Sequence, residues 1–199
     1  MRYYIPILFV SFLFLGCTPS SPKISEYVVN VKMDTPTFVE KGCSDSSLKI
    51  GQAFSSNSLM LLAMNYGLGD YQQLTFSQSL WSESPNKAIT SALTQYIKST
   101  QLFKNVQIAK SRSRNNLLLE INIEDFKQYF SEDEKSSYVN ISIDLTLLNL
   151  KTGRTIETKT FESKEIVEEN SAKGGVIALN KALQKIFIES GIWLSGVCR

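Results

Sequence analysis

The feature that most constrains the fold is a strict alternation of apolar and polar residues through the centre of the chain. The longest run places on one face Val139, Ile141, Ile143, Leu145 and Leu147. Residues 117–126 alternate in the same way. Because successive side chains of a strand point to opposite faces, both segments predict half-buried strands of one sheet.

Turn chemistry and shorter apolar runs extend this sheet. Residues 149–154 predict a turn in which Gly153 adopts a positive φ, and residues 155–161 then return as a hairpin partner. Short strands are predicted at 24–31, 48–54, 73–79 and 106–109. The segment 59–64 fits either a strand or a helical turn.

Two segments change to helical spacing. Pro85 suits the first turn of a helix with Ser84 as N-cap, and apolar residues at spacings of three and four continue to near Thr100. A second such stripe runs from about 172 to 190, with Gly191 as the predicted C-cap. The predicted fold is α+β, a two-layer sandwich in which two amphipathic helices cover one face of an antiparallel sheet.

The N-terminus has the pattern of a bacterial lipoprotein signal. Arg2 precedes a short apolar stretch that ends in Gly16-Cys17, and this stretch is too short to span a bilayer. We expect residues 1–16 to be removed, 17–23 to form a lipidated tether, and 24–199 to form a single domain. Cys17 would carry a diacylglycerol and an N-acyl chain. The alternative is an ordinary secretory signal or an uncleaved anchor.

Charge and composition remove several classes of function. The 21 basic and 19 acidic residues give a net charge of +2, whereas nucleic-acid binding requires a clustered basic surface. The absence of histidine excludes Ser-His-Asp and Cys-His relays and His-ligated zinc. We expect no catalytic residue, metal, further cofactor or nucleic-acid partner. An envelope hydrolase with a Ser-Lys or two-carboxylate site is the enzymatic alternative.

Cys43 and Cys198 remain after Cys17. In an oxidising compartment we expect a disulfide between them, which would join the start of the domain to its end. Two separate thiols, or a link to another chain, are the alternatives.

Four residues are candidates for contact with a partner. Trp81 is either an interface anchor or a core tryptophan at a strand-to-helix corner. Lys110, Arg112 and Arg114 form a small basic cluster that would meet anionic lipid or an acidic partner, or would form a solvated turn. The apolar segment 59–64 is either core or a surface that faces lipid or a partner.

The order of these elements resembles the ABC-type transport auxiliary lipoprotein family, the lipoprotein partners of MCE-type lipid transporters. The resemblance is carried by Cys17, the stretch Leu80-Trp81-Ser82-Glu83-Ser84-Pro85 with its helix, Leu117-Leu118-Leu119-Glu120-Ile121, the hairpin around Gly153, and the closing helix. It covers most of residues 48–195.

The resemblance implies a role in phospholipid transport between the inner and outer membranes. The expected partners are an MCE-domain protein with its ABC permease and ATPase, the membrane through the lipid anchor, and phospholipid; a homo-oligomer is left open. Thr18 after the lipidated cysteine favours the periplasmic face of the outer membrane, with the inner membrane as alternative. The alternative function is an outer-membrane assembly or secretion lipoprotein that binds a β-barrel.

Overall fold

The computed structural model describes residues 22–33 and 42–197. The helices are α1 (Pro85–Thr100) and α2 (Ala172–Val197). The strands are β1 (Ser25–Tyr27), β2 (Ser47–Ile50), β3 (Phe54–Ser55), β4 (Ala63–Leu68), β5 (Gln72–Trp81), β6 (Asn105–Ile108), β7 (Leu117–Phe130), β8 (Ser137–Asn149) and β9 (Arg154–Ile166). A short 3₁₀ helix occupies Asn57–Met60.

The long alternating segments form an antiparallel meander, as predicted. β7 pairs with β8 along its whole length, and β8 pairs in turn with β9. The inward side chains of β7 and β8 include Leu119 and Leu147, which face each other and are both fully buried. Gly153 has a φ of 70° in the turn between β8 and β9. The period-two pattern therefore located both the strands and their buried face.

The other edge of β7 makes the sheet mixed, whereas we predicted an antiparallel one. Three short strands, β2, β3 and β4, pair in parallel with successive parts of β7. β6 extends the sheet in parallel from β2, and β1 does so from β5. Alternation reports which face of a strand is buried but not the direction of its neighbour. The chain passes through α1 between β2, β3 or β4 and β7, and this connection is long enough to permit their parallel pairing.

Both helices cover the same face of the sheet, so the predicted two-layer α+β architecture is confirmed. From α1, Ile89, Leu93 and Ile97 enter the hydrophobic core. The Tyr96 ring of α1 stacks on the Phe187 ring of α2 with 5.9 Å between centroids. All nine strands of the described residues belong to one sheet, and one core lies between the layers.

The structure confirms the bounds of α1 but extends α2. Ser84 precedes α1, and its carbonyl oxygen accepts from the Lys87 and Ala88 N–H groups, although its side chain makes no capping bond. Gly191 was predicted to end α2, which is wrong, because the helix continues to Val197. Trp193 explains the extension: it is buried, its indole N–H donates to Glu157 at 2.8 Å, and its ring meets the Phe161 ring edge-on.

Gly174 lets the first turn of α2 approach the preceding loop. A Cβ atom built on Gly174 would lie 2.0 Å from the Glu169 carbonyl oxygen, a backbone atom that no rotamer change moves away. A Cβ on Gly196, in the last turn, would meet no atom of the described residues within 4 Å.

Gly174→Ala is therefore expected to destabilise the fold by about 2 kcal/mol or more through overpacking. Gly196→Ala is the matched control, and its better helix propensity predicts a gain of at most about 1 kcal/mol. Urea unfolding followed by circular dichroism measures both changes. Equal stabilities for the two variants would contradict the close approach.

Glu165 fastens α2 to β9. Its carboxylate is 8% exposed, and it accepts from Lys181 Nζ at 3.0 Å and from Lys185 Nζ. The hydrogen bond from Lys185, with a further one from Lys181, holds the pKa of the Glu165 carboxyl below its ordinary value. The charged carboxylate is thus stabilised by folding.

Glu165→Gln is expected to destabilise the protein by about 1 kcal/mol at neutral pH. Because the folded-state pKa is depressed, the contribution is full above the unfolded pKa and is lost as pH falls through the folded value. Thermal unfolding between neutral and acidic pH should show the two proteins converging in acid. Glu162→Gln, at an exposed position of β9, is the control and should match the parent throughout.

Cys43 lies in the core and is 2% exposed, whereas Cys198 lies outside the described residues. The half-buried Val197, the residue before Cys198, packs against the core that contains Cys43. The disulfide between Cys43 and Cys198 remains a prediction.

The disulfide predicts that oxidised protein, unfolded without reductant, shows no thiol from Cys43 or Cys198 in a titration. Cys43→Ser and Cys198→Ser should each lower stability by about 4 to 5 kcal/mol, because the bond closes a loop of about 155 residues. Two reactive thiols in the unreduced protein would contradict it.

Candidate functional site

The direction of β1 shows from which side the chain enters the sheet. Cys17 lies outside the described residues, and β1 is the first described strand. β1 runs parallel to β5 with Ser25 opposite Ser79. Since β5 starts at Gln72, immediately after the β4–β5 turn, the chain enters β1 from the side of that turn.

Three connections with acidic side chains meet at this end of the sheet. The β4–β5 turn is bonded to the end of β7 through the Gly69 N–H and the Phe130 carbonyl. The β9–α2 loop is bonded to the β7–β8 turn through the Asn170 amide and the Lys135 carbonyl at 2.6 Å. We define the acidic end as the exposed residues Asp70, Glu132, Asp133, Glu134, Glu168 and Glu169.

The opposite end of the long strands carries positive charge. The β6–β7 loop and the β8–β9 turn meet there, because the Leu150 N–H donates to the Asn116 carbonyl at 2.8 Å. Asp45, which precedes β2, adds one carboxylate at this end and leaves the excess positive. We define the basic end as the exposed residues Lys110, Arg112, Arg114, Lys151 and Arg154.

None of the five cations of the basic end makes an ion pair with a described residue. Three of them lie in the β6–β7 loop, and Lys49 of β2 binds this loop because its Nζ donates to the Ser111 carbonyl at 3.2 Å. The sequence identified Lys110, Arg112 and Arg114 as one cluster. It missed Lys151 and Arg154, which only the register of β7, β8 and β9 brings to the same end.

Trp81 belongs to the core, not to the surface. It is 5% exposed, and its ring lies 5.7 Å from the Phe126 ring, centroid to centroid. Its backbone N–H donates to the Leu62 carbonyl at 2.7 Å. Of the two alternatives for Trp81, the structure shows the core position at the corner between β5 and α1. Its indole ring is therefore not a surface anchor for a partner.

The apolar segment 59–64 divides between core and surface. Leu59 and Met64, at its ends, are each 4% exposed. Met60, Leu61 and Leu62 between them are 44%, 59% and 47% exposed. Neither alternative from the sequence describes the whole segment.

A groove of about 450 Å³ lies between residues 28–33 and α1. Val29, Val31, Ala92 and Tyr96 are among its lining residues. The Asn30 N–H donates to the Asn180 side chain of α2 at 2.7 Å, so the N-terminal segment also contacts the second helix. The Tyr96 hydroxyl is buried with no hydrogen-bond partner among the described residues, and burial raises the pKa of Tyr96 to about 12.

In the part of the chain that the structure describes, no group of three or more cysteine or acidic side chains is arranged to hold a metal ion. In the same residues, no helix has both the length and the apolar character needed to cross a bilayer.

These observations define a class of protein: a two-layer α+β domain whose exposed features are charged and apolar surfaces. The family follows from the sequence itself, because residues 63–188 match the ABC-type transport auxiliary lipoprotein component family. The chain belongs to this family. The match extends from β4 into α2 and confirms the resemblance. A search of curated protein sequences found no match.

Solved structures share the fold at low sequence identity. The crystal structure of protein XCC0632 from Xanthomonas campestris, of the DUF330 family, is 14% identical, with a TM-score of 0.76 over 85% of this chain and 94% of that one. A crystal structure of an uncharacterized protein is 15% identical, with a TM-score of 0.65 over 86% and 98%. At these identities the likeness shows a common fold.

Proposed function

We propose that this protein is a periplasm-facing lipoprotein subunit of an MCE/ABC-type phospholipid transport system between the inner and outer membranes. Its role is docking or completing a conduit, without catalysis. The observation that carries the proposal is the family match over residues 63–188, because the family is defined as an auxiliary lipoprotein component of ABC-type transport.

The anchor in this proposal is Cys17. A diacylglycerol on the thiol and an acyl chain on the amine bind a membrane durably, whereas one chain binds only marginally. Thr18 favours the outer membrane, and the inner membrane is the alternative. The proposed partners are an MCE-domain protein and, through it, an ABC permease and an ATPase.

Copurification from cells tests the proposal. Full-length protein with a C-terminal affinity tag, extracted in mild detergent, is expected to bring down an MCE-domain protein with its permease and ATPase, identified by mass spectrometry. Cys17→Ala, which cannot be acylated at that position, is expected to leave the membrane fraction and to lose phospholipid transport in cells. Intact mass measures the lipid directly.

Two outcomes would contradict the proposal. Recovery of a β-barrel protein alone would favour the assembly or secretion alternative. A Cys17→Ala variant that still sediments with membranes and sustains transport would remove the role of the anchor.

A further inference from the structure

We infer that β9 pairs with β9 of a second copy of this chain, in antiparallel orientation about a two-fold axis at Ser163. This inference concerns the assembly of the chain and goes beyond the proposed function. It starts from the free edge of the sheet. β9 has 13 residues and pairs with β8 on one side, and no strand of the described residues lies on its other side. The backbone N–H and C=O groups of such an edge form a template for a further strand.

The part of this edge that can accept a regular strand runs from Glu157 to Ile166. Ile156 has no opposite residue on β8, so β9 bulges there. After the bulge the pairing with β8 is regular to the end of the strand, and no proline interrupts it. A stretch of this length and regularity is what strand addition requires.

The charges of β9 restrict where a two-fold axis can lie. Such an axis keeps both faces of the joined sheet on their own sides, so it passes through a residue that then faces its own copy. An axis at any charged residue would place two equal charges opposite each other. An axis at Phe161 would set Glu157 against Glu165. An axis near either end of the stretch, at Thr158 or Ile166, would leave only a few residues paired.

Two axes remain, at Thr160 and at Ser163, and the second gives the complementary pairing. An axis at Thr160 creates no pair of opposite charges. An axis at Ser163 sets Glu162 opposite Lys164 of the copy, and symmetry repeats this pair. It also places Ile166, which is 82% exposed, opposite Thr160 of the copy. Opposite charges and apolar contacts across neighbouring strands both stabilise pairing.

The two charged groups are available for this contact. Glu162 and Lys164 are exposed, and neither makes an ion pair or a hydrogen bond with a described side chain. The Lys164 ammonium lies 3.5 Å from the centroid of the Tyr138 ring, a contact that leaves its charge uncompensated. Pairing with the copy therefore does not require an existing ion pair to break.

Self-complementarity favours a second copy over the other free edge of the sheet. Residues 72–78 of β5 lie beyond its pairing with β1 and include no charged side chain. Head-to-tail pairing of β9 with this edge would leave Glu162 and Lys164 without partners. Pairing of β9 with itself gives both a partner and closes after two chains, as an isologous contact does. The second copy is therefore the occupant we propose.

Disulfide crosslinking of the full-length protein in mild detergent tests the position of the axis. Ser163→Cys would bring two thiols face to face with Cα atoms about 4.5–5.5 Å apart, which suits a disulfide. Oxidation with copper phenanthroline is expected to give a covalent dimer. Thr160→Cys, whose two copies would lie about 20 Å apart, is the matched control and is expected to stay monomeric on a non-reducing gel. The parent protein gives the background from the native cysteines.

Charge exchange tests the contact itself. Glu162→Lys is expected to raise the dissociation constant of the dimer at least about tenfold, because two lysines then face each other on each side of the axis. Adding Lys164→Glu to the same protein restores opposite charges and should return the constant towards the parent value. Glu120→Lys, at an exposed position of β7, is the control and should leave it unchanged. Sedimentation equilibrium in density-matched detergent measures all four proteins, and circular dichroism establishes that they are folded.

Three outcomes would overturn the inference: a monomer at every concentration, a dimer that the double exchange does not restore, or a dimer from Thr160→Cys in place of Ser163→Cys. A disulfide between Ser163→Cys and a different protein would also overturn it, because the occupant would then be a foreign strand. These outcomes are separate from the proposed function, since copurification of an MCE-domain protein neither requires nor excludes pairing through β9.

Discussion

Strand β7 is the element on which the rest of the structure depends. One edge pairs with β8 along its whole length, and the other edge holds β2, β3 and β4 in succession. Its inward side chains, such as Leu119 and Ile121, are buried under the helical layer. A charge on this inward face would be desolvated without a partner, and both halves of the sheet would lose their common neighbour. The alternation that the sequence displays most strongly is therefore also the constraint with the widest structural effect.

The sequence predicts well those features that depend on local physics. Alternation requires only that one face of a strand be buried, and Pro85 fixes the start of α1 through its own φ. The failures concern long-range partners. The parallel pairing of β2, β3 and β4 depends on where the chain returns to the sheet after α1. The helix α2 continues past Gly191 because Trp193 packs against Phe161 and donates a hydrogen bond to Glu157, both on β9. A glycine in a helix is tolerated when packing beyond it offsets the cost.

For the candidate site, too, the sequence predicted what is local in the chain and missed what depends on long-range pairing. Three cations close together in sequence were identifiable as a cluster, whereas Lys151 and Arg154 join them only through the pairing of β8 with its neighbours. The acidic end could not be recognised as one surface, because its three connections are remote in the chain and meet only in the folded sheet. Trp81 could be weighed between core and surface but not assigned, since an aromatic side chain is common in both places.

The length of β7 determines the distance between the two charged ends. A sheet whose central strand has 14 residues and which is covered by two helices resists bending, because its hydrogen bonds and close-packed core would have to shift together. The distance between the ends, about 45 Å, is thus set by strand length. The two charged ends are therefore held at a nearly constant distance from each other. Flexible linkers would not give this result, since their end-to-end distance fluctuates with the square root of their length.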